Sequence, residues 1–320
     1  LGIDLVVKCS QRGTLATKRT GIAFLNSEPK LDYFISGYWP SVTKYHLELA
    51  QARGIKVFII NANVASGEVE LVGEPRQKFP NWIGHMIPDD KAASSQLINI
   101  LIDQVKFIKK KGLSEKIDVF AFMGEDTSPV AANRNAGMEE ALGAMPNANL
   151  HAFSGENWIQ KWVEEETEKL WKSYSNVDVI WAGNETTTWG ALLGVQRAGK
   201  VAGQDVVIGG FDWNSESIKA IADGRITASM VGHFIEGAWS LVLIHDHYHG
   251  FDFAEINGVT ILTPLTPMNA GNHGGFAFMQ DKKFWDDVNF REFSRKYNLG
   301  LNYYNFNINQ FLNLDAPDSR

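Results

Sequence analysis

The 320-residue chain has one cysteine, Cys9, which excludes an intrachain disulfide and any multi-cysteine metal site. This does not fix the compartment, because disulfide-free proteins occur on both sides of a membrane. No apolar run approaches the roughly 18 residues of a spanning helix. The longest, such as residues 239–244, are far too short. Basic residues are in the minority, 30 against 37 acidic, so an extended nucleic-acid surface is not expected. There is no GxxxxGK[ST] phosphate loop, no GxGxxG after the first strand, and no GxSxG elbow. The chain starts Leu1-Gly2-Ile3, with neither Met nor a signal peptide, so any targeting segment is expected to have been removed or not included.

What remains is a soluble globular composition, 44% hydrophobic and 21% charged, long enough for about two domains. The dominant pattern is a short β-rich run followed by a longer helical one. Strands are predicted at residues 3–7, 31–36, 55–60, 117–122, 177–181 and 205–209. Nearly continuous Val, Ile and Phe is the pattern of parallel strands covered on both faces. Helices are predicted at 41–52 with Ser41 as N-cap, 90–111 ending at Gly112, 133–144, 159–173, 186–198 and 215–222. This alternation predicts an α/β fold of two doubly wound parallel-sheet lobes. After Arg225 the rhythm breaks. A strand at 226–231, a helix at 234–249 and a strand at 257–265 are followed by an aromatic, Asn-rich C-terminal extension, 281–320.

Ligands of open α/β sheets bind outside the carboxyl ends of the strands. The groups that follow each run are therefore the candidates. They are Tyr38 and Trp39, then Asn61, then Gly124-Glu125-Asp126 with Arg134, then Asn184-Glu185, Asp212 and His233. Amides and carboxylates pair with hydroxyls, arginine offers a fork of donors, and an aromatic face covers C–H patches. That set suits a polyhydroxylated ligand. Taken singly, Asn and Asp at strand ends are turn formers, Arg134 is a surface ion-pair partner, and tryptophan is a core residue. The case rests on all of them falling at the same end of successive strands. His245 and His249, four apart on a helix, have metal spacing. Their place at a helix C-terminus, where the dipole favours His, is the stronger reading, and no metal or cofactor is expected. Glu156, Glu185 and Asp212 would be needed for a hydrolase carboxylate pair, but nothing in their spacing favours that.

The motifs together resemble the type I periplasmic binding proteins, the ribose-binding-like group of sugar receptors, over about residues 1–265. Leu1 to Val7 with Ser10-Gln11 looks like the family's second strand, and Arg53 to Asn61 like the strand that reaches a ligand contact in the first lobe. Asn133-Arg134-Asn135-Ala136-Gly137 resembles the family's Arg-x-x-Gly helix start. Val179 to Glu185 with Gly190-Ala191, and Gly209-Gly210-Phe211-Asp212, resemble the strand–amide–helix and G-F-D segments of the second lobe. The resemblance implies that Arg134, Asn184 and Asp212 bind sugar hydroxyls and that Trp158 stacks on the sugar face. Asn61 stands where an aspartate is usual and Ala62 where ribose receptors carry a second arginine, which points away from ribose itself. His233 lies on a segment crossing between lobes. Tyr38 and Trp39 have no fixed counterpart and rest on strand-end position alone.

The resemblance further implies two lobes joined by three crossings, near residues 85–89, 231–233 and 263–266, closing on the ligand by a hinge. The lobes would comprise 1–88 plus 233–264, and 89–232 plus 265–280. The family begins one strand and one helix earlier, so either the chain is a fragment lacking that central strand, the favoured expectation, or the strands at 3–7 and 31–36 pair directly. The implied function is a periplasmic, monomeric receptor that presents its closed form to a membrane partner, either an ABC permease or a sensor kinase, with no catalysis. The alternative is the core of a LacI-type transcription regulator that has lost its DNA-binding domain, and a third reading is a sugar-modifying enzyme.

Overall fold

The strand-forming runs fall into two separate sheets. The structure, a computed structural model, describes residues 1–11, 13–112, 114–125, 127–154 and 158–312. In chain order the strands are β1 (Tyr33–Gly37), β2 (Lys56–Ile60), β3 (Trp82–Pro88), β4 (Ile117–Met123), β5 (Ala148–Ser154), β6 (Val179–Ala182), β7 (Val207–Phe211), β8 (Ala228–Val231), β9 (Thr260–Thr263) and β10 (Thr266–Asn269). The first nine helices are α1 (Thr14–Leu25), α2 (Thr43–Ala52), α3 (Val69–Val72), α4 (Asp90–Lys109), α5 (Pro129–Gly143), α6 (Gln160–Ser173), α7 (Glu185–Arg197), α8 (Ser215–Ala222) and α9 (Glu236–Tyr248).

The chain divides into two units. Leu1–Pro88, His233–Pro264 and Val288–Asn307 form the first; Asp89–Gly232, Leu265–Asp287 and the residues from 308 onward form the second. It passes between them after Pro88, Gly232 and Pro264, and twice more in the C-terminal stretch, after Asp287 and Asn307.

In the first unit the sheet order is β1-β2-β3-β9, all parallel. Every residue of β3 is buried, as expected for an inner strand covered on both faces. Its Gly84 is required by packing. A Cβ there would stand 2.5 Å from the Phe253 ring and 2.7 Å from the Phe58 ring. Helix α9 packs on β1, β2 and β3. Its Trp239, 1% exposed, stacks on Phe306 at 4.9 Å between ring centroids and meets the edge of Phe293. The C-terminal stretch thereby contributes core to this unit.

In the second unit the order is β10-β8-β7-β6-β4-β5, parallel except for β10 against β8. Helix α4 fills the core beneath it. Ala93, Leu97, Leu101 and Val105 repeat at helical spacing and lie buried with Val119, Trp181 and Phe211. Helices α6 and α7 pack closely because Gly190 and Gly194 carry no side chain; a Cβ on either would come within 2.5 Å of the α6 carbonyls of Gln160 and Glu164.

Several sequence expectations change. Residues 3–7, read as a strand, lie outside both sheets, and Leu5, Val6 and Val7 are exposed. An apolar run forms a strand only where a neighbour completes its ladder, and among the described residues β1, at the edge of its sheet, pairs with β2 alone. Ser41 is not an N-cap. It sits at φ 63° and its N–H donates to Glu68, while α2 begins two residues later. Helix α4 stops at Lys109, with Lys110 in the left-handed region in place of the expected stop at Gly112. Helix α5 starts at Pro129, capped by Ser128, four residues before the predicted start. Strands β3, β5 and β10 and helix α1 are additional elements.

Candidate functional site

The candidate side chains of the second unit converge at the carboxyl ends of β4, β6 and β7. Arg134 points inward from α5 and is only 4% exposed. Its Nε donates to Asp90 Oδ1 at 2.7 Å, its Nη1 donates to the Gly183 carbonyl at 2.9 Å, and its guanidinium lies 4.1 Å from the centre of the Phe211 ring. Neither hydrogen bond uses Nη2. Asp90 is itself 2% exposed and stands in the first turn of α4, where the helix dipole favours a carboxylate. Held at two nitrogens and stacked on a ring, the arginine has little rotamer freedom left.

Trp158 lies across two of these strand ends. A Cβ on Gly124, just after β4, would come within 2.3 Å of the indole, and one on Gly183, just after β6, within 2.6 Å. The two glycines form a cradle for the ring, which remains half-buried. Asn184 caps α7. Its Oδ1 accepts the Thr187 N–H at 2.9 Å in a capping box, which does not use Nδ2. Asp212 follows β7; its N–H donates to the Met230 carbonyl at 3.0 Å and its own carbonyl accepts the Ser229 hydroxyl. Burial pushes the Glu185 carboxyl above its usual range; the bond donated by Ser217 opposes this, and the nearby Asp212 charge adds to it. Glu156 and Asp126 lie outside the described residues.

In the first unit, Asn61 follows β2 and is exposed. Its N–H lies 2.9 Å from both the Met86 carbonyl and Glu236 Oε2. Tyr38 is buried and its hydroxyl donates to Glu68, whose other oxygen accepts the Ser41 N–H at 2.7 Å. Burial, reinforced by that hydrogen bond, raises the Tyr38 phenol well above its usual range. Trp39 is tied to its surroundings at both nitrogens, its N–H to Thr43 Oγ1 at 2.8 Å and its Nε1 to Thr14 Oγ1 at 3.3 Å. His233 opens a short 3-10 turn (His233–Ile235) ahead of α9 and is half-buried.

Three candidates share a backbone feature. Asn61, Trp158 and Asp212 adopt left-handed φ of 74°, 57° and 67°. For non-glycine residues this costs on the order of 1–3 kcal/mol each, and such strain clusters at functional sites. Sequence reasoning missed Asp90, Glu236 and the two-glycine cradle. Asp90 had one visible signal, its place in the Pro88-Asp89-Asp90 helix start.

His85 in β3 pairs with Ile59 near the end of β2. It is 1% exposed, and its Nε2 donates to the Ala62 carbonyl at 2.8 Å. Burial drives its pKa down from 6.5 to about 4, with the Ala62 bond opposing. The unfolded chain then binds the extra proton between those values. This group's contribution is complete above pH 6.5, falls through the interval and is lost near pH 4, a change of roughly 3 kcal/mol. His85→Gln, which keeps a donor for Ala62, is expected to flatten the stability–pH profile between pH 6.5 and 4. A denaturation series whose slope there is unchanged would refute this.

The periplasmic binding protein domain matches residues 35–247. The chain belongs to that family. Galactofuranose-binding protein YtfQ of Escherichia coli strain K12 is 23% identical over 190 residues, 56% of this chain and 60% of that protein. Ribose import binding protein RbsB of Haemophilus influenzae is 26% identical over 208 residues, 60% of this chain and 65% of that protein. The chain thus spans about three-fifths of the length of such relatives. Among solved structures, a periplasmic sugar-binding protein from Pseudomonas fluorescens matches with a TM-score of 0.80 at 24% identity, over 93% of this chain and 86% of that one. The arabinose transporter binding protein of Shewanella sp. ANA-3 matches with a TM-score of 0.68 at 17% identity, over 87% and 85%. The proteins to which the chain is similar include a ribose import binding protein, of the group that the residue pattern resembles.

Proposed function

We propose that the protein is a periplasmic receptor that captures a small sugar and presents it to an ABC permease, without chemistry on the ligand. The supporting observation is the meeting of Arg134, Trp158, Asn184 and Asp212 at one end of one sheet, around Gly183 and Phe211. Arginine, amide and carboxylate serve vicinal hydroxyls, and the indole serves the C–H face. Asn61 and His233 of the first unit are proposed as further contacts. For Tyr38 the bond to Glu68 favours a supporting role, and the ties on Trp39 favour the same. A permease is preferred to a sensor kinase because similar proteins are import components. A furanose-forming sugar such as galactose or arabinose heads the ligand panel, given what related proteins bind.

Intrinsic tryptophan fluorescence titrated with ribose, arabinose, galactose and xylose tests this. A saturable change at micromolar sugar is expected. Arg134→Ala should weaken it by about 10–100-fold, the loss of charged hydrogen bonds worth 1.5–3 kcal/mol. Trp158→Ala should weaken it by roughly tenfold through lost ring contact. A folded protein responding to none of the sugars would refute the reading.

A further inference from the structure

Glu236 is a carboxylate 1% exposed to solvent, at the first position of α9, and the site described above does not use it directly. Its two oxygens face different parts of the first unit. Oε2 accepts the backbone N–H of Asn61 at 2.9 Å, and Oε1 accepts the hydroxyl of Thr263 at 2.6 Å. Thr263 Oγ1 lies in turn 3.3 Å from the carbonyl of Ile87. One side chain therefore joins the ends of β2, β9 and, through the threonine, β3.

The positions are not arbitrary. Ile87 is one residue before the first passage out of this unit, Thr263 one residue before the third, and Glu236 three residues after the second. Asn61 carries a left-handed φ of 74°, a region uncommon for non-glycine residues although asparagine tolerates it better than most. A second acceptor at its N–H, charged and withdrawn from water, is a specific means of holding it there. We propose that Glu236 is a positioning residue for sugar binding. It fixes the backbone of the ligand contact Asn61, at the end of β2, and ties that contact to the ends of β3 and β9, after which the chain leaves the unit. The proposal rests on the reading of Asn61 as a sugar contact.

The hydrogen-bond chemistry supplies a conservative rescue. In Glu236→Gln the amide oxygen still accepts from Asn61. The amide N–H₂ then donates to Thr263 Oγ1, whose own hydrogen turns to the Ile87 carbonyl. In Glu236→Ala, the Asn61 N–H keeps only the Met86 carbonyl and the Thr263 hydroxyl only the Ile87 carbonyl, and the tie between the strand ends is lost. Two readouts separate this proposal from the sugar reading. The first needs no ligand: hydrogen–deuterium exchange of peptides covering 58–64 and 259–265. Both are expected to exchange at least tenfold faster in Glu236→Ala and at nearly the wild-type rate in Glu236→Gln. The second is sugar affinity in a double-mutant cycle. Asn61→Ala and Glu236→Ala are each expected to weaken binding by about 10-fold, with the double variant little worse than either single one, and Glu236→Gln within about threefold of wild type. Unchanged exchange in Glu236→Ala overturns the proposal, whether or not any sugar binds. So does faster exchange with unaltered affinity, or losses that simply multiply. A wild-type protein that binds no sugar while exchange responds as expected refutes the receptor reading and with it the role in ligand positioning, leaving Glu236 as a tie between strand ends.

Discussion

Asp90→Ala is expected to destabilise the second unit by about 3–5 kcal/mol, the usual loss when one partner of a buried ion pair is removed. The Arg134 guanidinium, 4% exposed, would keep its bond to Gly183 and its contact with Phe211 and lose its countercharge. Water does not reach it to compensate, so the desolvation cost of a charge is left standing. Removing both charges should cost less than removing one. The double variant Asp90→Asn with Arg134→Met is expected to recover at least half of the loss, because a thioether side chain fills similar space and needs no partner. Urea unfolding of the three proteins decides the matter. A drop of under 1 kcal/mol in the single variant, or no recovery in the double one, would show that the pair does not carry the energy assigned to it. Sugar binding gives a separate expectation. The double variant should be stable and unable to bind, since the donor fork is gone. On the proposed reading, stability and ligand recognition would draw on the same arginine through different nitrogens, since Nε and Nη1 bond to Asp90 and Gly183.

The parts of this fold that sequence reading reached are those with a local signature. β4 is apolar apart from Asp118 and β7 has no polar side chain, and α8 begins at a serine after the Asn214 cap and ends before Asp223-Gly224. β3 escaped because Gly84, His85 and Pro88 break the apolar pattern, although the strand lies wholly inside the sheet. Gly84 is there for two rings, and His85 for the Ala62 carbonyl, and both partners lie at a distance in the chain. Residues 3–7 show the converse, a strand-like sequence without a strand, because pairing is supplied by other segments. The same division holds in the candidate site. Arg134, Asn184 and Asp212 were legible from strand-end position and family-like motifs. Asp90 and Glu236 were not, since their partners lie 44 and 175 residues away, and a carboxylate at a helix start reads locally as a dipole or solvent group. The positive φ at Asn61 and Asp212 has only the weak signal that Asn and Asp tolerate that region, and the one at Trp158 has none.

Asp246→Ala is expected to release the stretch 288–307 from α9, with a loss of about 4 kcal/mol or more. Asp246 is fully buried. It accepts from the Tyr304 hydroxyl at 2.7 Å, the Arg295 N–H at 2.6 Å, the Lys296 N–H at 3.3 Å and the Ser294 hydroxyl. Hydrogen bonds to a charged group are worth about 1.5–3 kcal/mol each, and each donor left buried without a partner carries its own desolvation penalty. The same carboxylate raises the Tyr304 phenol beyond its usual range, second to burial. Once the donors let go, Phe306 and Phe293 no longer cover Trp239, so the apolar contact should fail together with the polar one. Asp246→Asn keeps the shape but turns one acceptor into a donor facing donors, and an intermediate loss near 2 kcal/mol is expected. Trypsin reads the local event directly, because Arg291, Arg295 and Lys296 all lie in the stretch. Mass spectrometry should find cleavage there in Asp246→Ala under conditions where the wild-type chain resists. If Asp246→Ala unfolds at the wild-type midpoint and stays uncut, the stretch is held by its rings alone, and the buried carboxylate beneath it is not what fastens it.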